Sequence, residues 1–404
     1  MRWIGGRAVK FASVAVLATA VLAGCSDNKA THKENVTAAK KRWQTMRSTQ
    51  MLAMAQQQFD TGDLETAEST LLEAISVDPQ NARLHVLAGR IGLERSELER
   101  AHQRFTRAIE YDDEFAYAHY YRGIVLQRWK QYPEARAAYE RAWELQPDNV
   151  VFLLAISEMH VALGDIDAAV ALLEGKVGYF AHNGGIRLAL GQLYGLKNDF
   201  KSAARWTREA AILIPDDTGV QEDLAYTQLK AGLYAEAART FERLTRQTNA
   251  TDRPALFHAV ARAYTETDRL QDAKAVYLDL RRAHPRDAEV WIKLAEIAWA
   301  DEQYTDALFA ARRAITFAKD RPEAYIIAGM VWQKRDRTAE ALEMFDTAAR
   351  VAPDSAEPLL LRGITLQRAG KLAAAAEAYR EAKQRQPNDA RVDQLLSGVS
   401  QVDE

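Results

Sequence analysis

The sequence predicts an all-α fold: an α-solenoid of about ten helical hairpins, closed by a C-terminal capping helix. One series of prolines and two columns of small residues predict it. Prolines stand at Pro79, Pro147, Pro215, Pro285, Pro353 and Pro387, at separations of 68, 68, 70, 68 and 34 residues. With a period of 34, an alanine falls twelve residues before each proline or its equivalent: Ala67, Ala101, Ala135, Ala169, Ala203, Ala237, Ala273, Ala307, Ala341 and Ala375. A second column is small in every period: Ala55, Gly89, Gly123, Ser157, Gly191, Ala225, Ala261, Ala295, Gly329 and Gly363.

A fixed period of this length marks a stack of identical supersecondary units rather than two or three globular domains. Two antiparallel helices that approach closely need one small residue each at the contact. Phe105, Tyr139, Phe241, Tyr277, Phe345 and Tyr379, four places after the alanine column, fill the space beside it. Spacings of three, four and seven keep these residues on one face of each helix. The proline ends the second helix because it cannot donate the next helical hydrogen bond. No pair buries its apolar face alone, so the pairs stack.

The units run 48–81, 82–115, 116–149, 150–183, 184–217 and 218–251, then 254–287, 288–321, 322–355 and 356–389. Repeats one to six thus occupy 48–251 and repeats seven to ten 252–389. Residues 390–404 form the capping helix, with Val392, Leu395, Leu396 and Val399 on one side. Two irregularities mark places for a hinge. One is the fourth unit, where Gly175, Gly178 and Asn183-Gly184-Gly185 erode the second helix. The other is the polar stretch at 248–253, which carries a two-residue excess.

This pattern resembles the tetratricopeptide repeat over roughly residues 48–389. The resemblance implies a right-handed superhelix that binds other proteins in a concave groove, lined by positions 2, 5, 9, 12 and 13 of each unit. In the second and third units these positions give Arg90, Tyr117, Tyr120 and Arg128. In the sixth to ninth they give Glu222, Tyr226, His258, Arg262, Glu296, Trp299 and Met330. Arginine and aromatic residues presented together are what peptide-binding hot spots favour. Position 5 is often apolar (Val86, Tyr120, Leu154, Leu188, Ile292, Ile326, Leu360), which fits either an occupied groove or packing between neighbouring first helices. Position 9 never holds asparagine, so a carboxylate clamp for chaperone tails is not expected.

The amino terminus lies outside the repeats. Arg2, Arg7 and Lys10 precede a short apolar run, Phe11 to Leu22, the layout of a secretory signal too short to span a membrane comfortably. It leads into Leu22-Ala23-Gly24-Cys25, and Cys25 is the only cysteine of the chain. That sequence resembles the lipobox of bacterial lipoproteins, which implies cleavage after residue 24, lipidation of Cys25 and a thiol consumed as thioether. Ser26, where an inner-membrane protein would carry aspartate, implies the outer membrane, with the chain facing the periplasm. A polar tether over 26–35 and a leading helix from Val36 follow. Lys40, Lys41, Arg42 and Arg47 give that helix a basic start, which fits a solvated face or contact with anionic lipid heads.

The formal net charge of −3, about −6 without the leader, offers no basic stripe for nucleic acid. No glycine-rich nucleotide loop, zincin helix or nucleophile elbow is present, so no catalytic, cofactor or metal residues are expected. His85 and His119 share a column of adjacent units, but its next member is Leu153, and packed histidines are the expectation. The function expected is therefore that of a membrane-anchored adaptor in envelope assembly, of pilus or secretion type. The alternative is an accessory subunit of an exopolysaccharide or peptidoglycan hydrolase system.

Overall fold

The computed structural model describes residues 24–246, 248–249 and 251–400, with side chains from His32 to Gly398. Every described element is an α-helix. The chain divides into two compact units, the first ending at Phe180 and the second beginning at Ala181. The first unit pairs α1 (Gly24–Asp60) with α2 (Leu64–Val77), α3 (Ala82–Glu94) with α4 (Leu98–Tyr111), α5 (Ala116–Arg128) with α6 (Tyr132–Leu145) and α7 (Val150–Ala162) with α8 (Ile166–Val177). The second pairs α9 (Gly184–Leu196) with α10 (Phe200–Leu213), α11 (Thr218–Lys230) with α12 (Tyr234–Thr245) and α13 (Pro254–Glu266) with α14 (Leu270–Ala283). It continues with α15 (Ala288–Ala300) and α16 (Tyr304–Phe317), α17 (Pro322–Lys334) and α18 (Thr338–Val351), α19 (Glu357–Arg368) and α20 (Leu372–Arg385), and ends with α21 (Ala390–Ser400).

The division falls at the glycine-rich fourth repeat. At the other irregular point, 248–253, the apolar core is continuous: Phe241 and Leu244 of α12 share one cluster with Leu256 and Val260 of α13. The N-terminal side differs from the expected tether, because α1 begins at Gly24 and runs unbroken for 37 residues. Nothing after Gly24 interrupts it; residues 25–60 contain neither proline nor a second glycine. The leader itself, residues 1–23, lies outside the described residues.

Each column has a structural cause. All ten alanines of the first column have no exposed surface. A Cβ added at Gly123 would come within 2.5 Å of the Tyr139 ring, and one at Gly329 within 2.6 Å of the Phe345 ring. Glycine at these positions is a matter of room, since it lets the aromatic lie directly on the helix backbone. The hairpin turn makes a different demand. The fifteenth residue of every repeat has positive φ: glycine at 62, 164, 232 and 370, and Ser96, Lys130, Asn198, Asp268, Glu302 and Asp336 elsewhere. The next amide then reaches back to the first helix, as Gln131 N does to the Leu126 carbonyl at 2.9 Å.

Asparagine and aspartate start many of the helices. Asn81, Asn149, Asp217 and Asp287, two residues after a proline, accept from backbone amides of the following first helix. The fourth residue of that helix returns to the same turn. His85 Nε2 donates to the Pro79 carbonyl at 2.8 Å and His119 Nε2 to the Asp113 carbonyl at 2.9 Å. Gln221 Nε2, Trp291 Nε1 and Tyr325 Oη do the same at Pro215, Pro285 and Lys319. The two histidines are therefore packed, hydrogen-bonded members of a repeating cap. At the far end, Val392 of α21 is fully buried against the last hairpin, with Leu395 and Leu396 half-buried beside it.

Candidate functional site

Within each unit the first helices of successive repeats lie side by side, as α1, α3 and α5 do, so their second, fifth, sixth and ninth positions form a common surface. In the first unit α1, α3 and α5 enclose an open groove of about 440 Å³ there. Thr49, Arg83 and Tyr117 are its second positions, Leu52 and Val86 its fifth, Ala53, Leu87 and Tyr121 its sixth, and Gln56 and Arg90 its ninth. Phe115, from the turn before α5, completes it. The lining is mostly apolar, with Thr49, Gln56 and two tyrosine hydroxyls as neutral polar groups; its only charges are the Arg83 and Arg90 guanidinium groups, and no carboxylate faces in.

Arg90 is built into this wall. Its Nη1 donates to Gln56 Oε1 at 3.1 Å, and its guanidinium lies 4.5 Å from the centroid of Phe59 and 5.5 Å from that of Tyr121. Neighbours from the repeats on either side thus hold the cation in place, so little side-chain freedom remains to be lost on binding. Tyr117 is exposed, with its ring edge-on to Phe152 at 5.4 Å.

A second cavity, of about 380 Å³, lies on α13 to α15 in the second unit. It is lined by His258, Arg262, Thr265 and Glu266 of α13, Tyr277 of α14, and Glu289, Lys293 and Glu296 of α15. Its charges are mutually engaged. Lys293 Nζ is 2.8 Å from Glu296 and 3.9 Å from Glu289, Glu289 also meets Arg321 at 2.5 Å, and His258 Nε2 is 3.4 Å from Asp287. Burial pushes the Tyr277 phenol up, so it stays a neutral hydroxyl. Among the described residues no three histidines, cysteines or acids are grouped to hold a metal ion.

The residues expected at the groove separate into two sets. Arg90 and Tyr117 line the first cavity, and Arg262, His258 and Glu296 the second. The others lie elsewhere. Tyr120 turns inward onto Phe152 and Tyr139, 5.0 and 5.5 Å away. Arg128 gives its Nη1 to the Leu93 carbonyl of the preceding repeat, at 3.1 Å. Tyr226 packs edge-on to Phe241 at 5.2 Å, Trp299 rests on Tyr304 at 5.3 Å, and Met330 is half-buried against the core. Glu222 is bound by Arg253 at 2.6 Å. Packing also accounts for much of the apolar fifth position, since Val86, Ile292 and Leu360 are buried. The sequence reading missed Leu52, Gln56, Arg83 and Tyr121. Arg83 stands at one of the expected second positions, Leu52 and Gln56 at the fifth and ninth of the first repeat on α1, and only Tyr121 departs from the expected set, at the sixth position one turn from the ninth.

Three family models, each described as a tetratricopeptide repeat, match residues 130–175; 52–101, 93–150 and 332–390; and 254–297. Together they cover more than half of the chain. It belongs to the tetratricopeptide-repeat family. Similar solved structures include the TPR domain of P58(IPK), at 16% identity over 88% of this chain and 97% of that one, with a TM-score of 0.35. The Cut9–Hcn1 hetero-tetramer of APC/C matches at 12% identity over 91% and 94%, with a TM-score of 0.43. MamA matches 42% of this chain and 97% of its own at 16% identity, with a TM-score of 0.38. Tetratricopeptide repeats generally mediate protein–protein interactions, and the family is typically a non-catalytic scaffold.

Proposed function

We propose that this tetratricopeptide-repeat protein is an adaptor of the bacterial cell envelope, acting by binding and not by catalysis. Its partner is a protein segment seated in the groove of α1, α3 and α5. The observation that supports this most is that groove's lining: three repeats give an apolar floor, an exposed Tyr117 and a pre-positioned Arg90. Buried apolar contact with a few fixed polar groups is the usual composition of a binding cleft. The segment it suits is apolar with at least one carboxylate, because Arg83 and Arg90 meet no acid in the wall.

The anchor in this proposal is Cys25, lipidated and facing the periplasm from the outer membrane, on the strength of Leu22-Ala23-Gly24-Cys25. Several acyl chains on one residue would hold the chain stably, at about 0.8 kcal/mol per buried methylene. The pathway proposed is assembly of a pilus or secretion complex, with an accessory role in exopolysaccharide export or peptidoglycan hydrolysis as the second reading.

Cross-linking capture from envelope fractions, with wild type beside Tyr117→Glu and Arg90→Glu, tests the groove. Both variants should lose the same partner. Retention of that partner in both moves binding to another surface. The identity of the captured protein, a pilus or secretion component as against a glycosyltransferase or hydrolase, separates the two pathways. Labelling with palmitate tests the anchor, and label persisting in Cys25→Ala excludes lipidation there.

A further inference from the structure

The first half of α1 packs on nothing. From His32 to Gln50 every residue is exposed except Gln44, half-buried, and Ser48, which is buried and donates to Asp78 at 3.0 Å. Contact with the first hairpin begins with Ser48 and the half-buried Met51, so more than ten described residues project beyond it. A lone helix of such a sequence has little stability of its own in water, because helices draw most of theirs from packing a face.

The projecting segment has a face. Lys33, Val36, Lys40, Trp43 and Arg47 follow one another at intervals of three and four, which places them on a single stripe at 3.6 residues per turn. Trp43 is 53% exposed, Val36 54% and neighbouring Met46 70%, and the Arg47 guanidinium lies 5.2 Å from the Trp43 ring centroid. Lys41 and Arg42 stand on the other side of the helix, Lys41 two turns from Glu34 on the same face. Between His32 and Phe59 the only acid is Glu34, which the helical register puts on the face opposite the stripe. Basic, apolar and aromatic residues alternate along this side, with no acid among them.

We propose that this stripe of α1 lies on an anionic membrane surface, with Trp43, Val36 and Met46 at headgroup depth and the cations on acidic headgroups. Tryptophan is the side chain suited to that depth, apolar in body with one polar N–H, and clustered lysine and arginine supply the attraction to acidic lipid. Charge excludes a second copy as the occupant, since two such stripes would face each other with six cations and no acid. The inference rests on the envelope reading for the presence of a membrane. It adds that the membrane orders α1, whereas a lipid on Cys25 alone would leave the helix free.

The test is hydrogen exchange on the full-length chain reconstituted into vesicles, either pure phosphatidylcholine or phosphatidylcholine with phosphatidylglycerol. Amides 33–47 should exchange about tenfold more slowly on the acidic vesicles. The protection should disappear in high salt and in Lys40→Glu/Arg47→Glu. Those residues touch no core, so exchange in α3 to α20 serves as the control for folding. Equal protection on both vesicle types overturns the proposal. So does concentration-dependent protection without vesicles, which would make another chain the occupant. Palmitate labelling of Cys25 is read separately, so loss of the label with lipid-dependent protection retained discards the anchor and keeps the stripe.

Discussion

The hydroxyl of Tyr139 donates to Oε1 of Gln127 at 2.7 Å, joining the second helix of the third repeat to the end of its first. Tyr379 and Gln367 repeat the bond at 2.8 Å in the last hairpin. Phe105, Phe241 and Phe345 fill the same place in other repeats with a buried ring and no hydroxyl, so the hydroxyl is an addition to the packing. Tyr139→Phe should therefore keep the packing and lose one partly buried hydrogen bond, about 1 kcal/mol. A repeat array does not unfold in one step. The loss should be read as faster amide exchange confined to α5 and α6, and an unchanged rate there would mean the bond contributes nothing.

Behind the same ring lies Gly123. Gly123→Ala would put a methyl 2.5 Å from Tyr139 Cε1, so helix or ring must shift, at about 1–3 kcal/mol. Repeats with alanine in this column, Ala225 beside Phe241 and Ala261 beside Tyr277, show that a hairpin can be built around the methyl, which keeps the cost moderate. Gly175 of α8 is the opposite case, since an added Cβ there meets nothing. Gly175→Ala should stabilise that helix by roughly 0.5–1 kcal/mol. Denaturation of the two variants should move in opposite directions, and destabilisation by Gly175→Ala would refute the account of the weak fourth repeat.

The fold was legible in the sequence wherever one physical demand selects one kind of residue. Contact between paired helices requires Ala67 and its nine equivalents, and helix termination favours the prolines. The hairpin turn demands just as much, a left-handed residue in every repeat, but the demand is on the backbone. Glycine, serine, lysine, asparagine, aspartate and glutamate all meet it, so no letter marked the column. The groove was legible only by resemblance, as positions. Which positions face open space depends on neighbours: Phe152 draws Tyr120 inward, the Leu93 carbonyl takes Arg128, and Tyr304 supports Trp299.

That turn supplies a further prediction. Lys130 has φ +62° and Glu302 +58°, values that L side chains adopt at a cost glycine avoids. Lys130→Gly should stabilise the third repeat, by a few tenths to about 1 kcal/mol once the greater freedom of glycine in the unfolded chain is deducted. The converse change, Gly164→Ala, forces φ +83° on a residue with a Cβ and should destabilise although no atom lies in its way. Chemical denaturation followed by exchange in α5–α6 and α7–α8 measures both, and equal midpoints for all three chains would remove the strain argument.

The first unit should be weakened by mild acid. Burial, chiefly, lowers the His85, His102 and His119 imidazoles below the usual 6.5. Arg104 and Arg107 reinforce this at His85, Arg122 at His102, and Arg122 and Arg141 at His119. The bonds to the Pro79 and Asp113 carbonyls oppose it without reversing it. Each folded-state value lies below the unfolded one, so between the two the unfolded chain binds the proton and the folded chain does not. Above about pH 6.5 both are neutral and nothing changes; as pH falls from there, stability is lost until the folded-state value is passed. Carboxylates ordinarily titrate lower, which leaves this window largely to histidine. Exchange in α3 to α6, corrected for the fall in the intrinsic base-catalysed rate, should accelerate between pH 7.5 and 5.5. In His85→Gln/His119→Gln the acceleration should be smaller, because glutamine carries no titrating proton and Gln221 makes the equivalent bond in the sixth repeat at 3.2 Å. An identical acid response in the double variant would assign the effect to other groups.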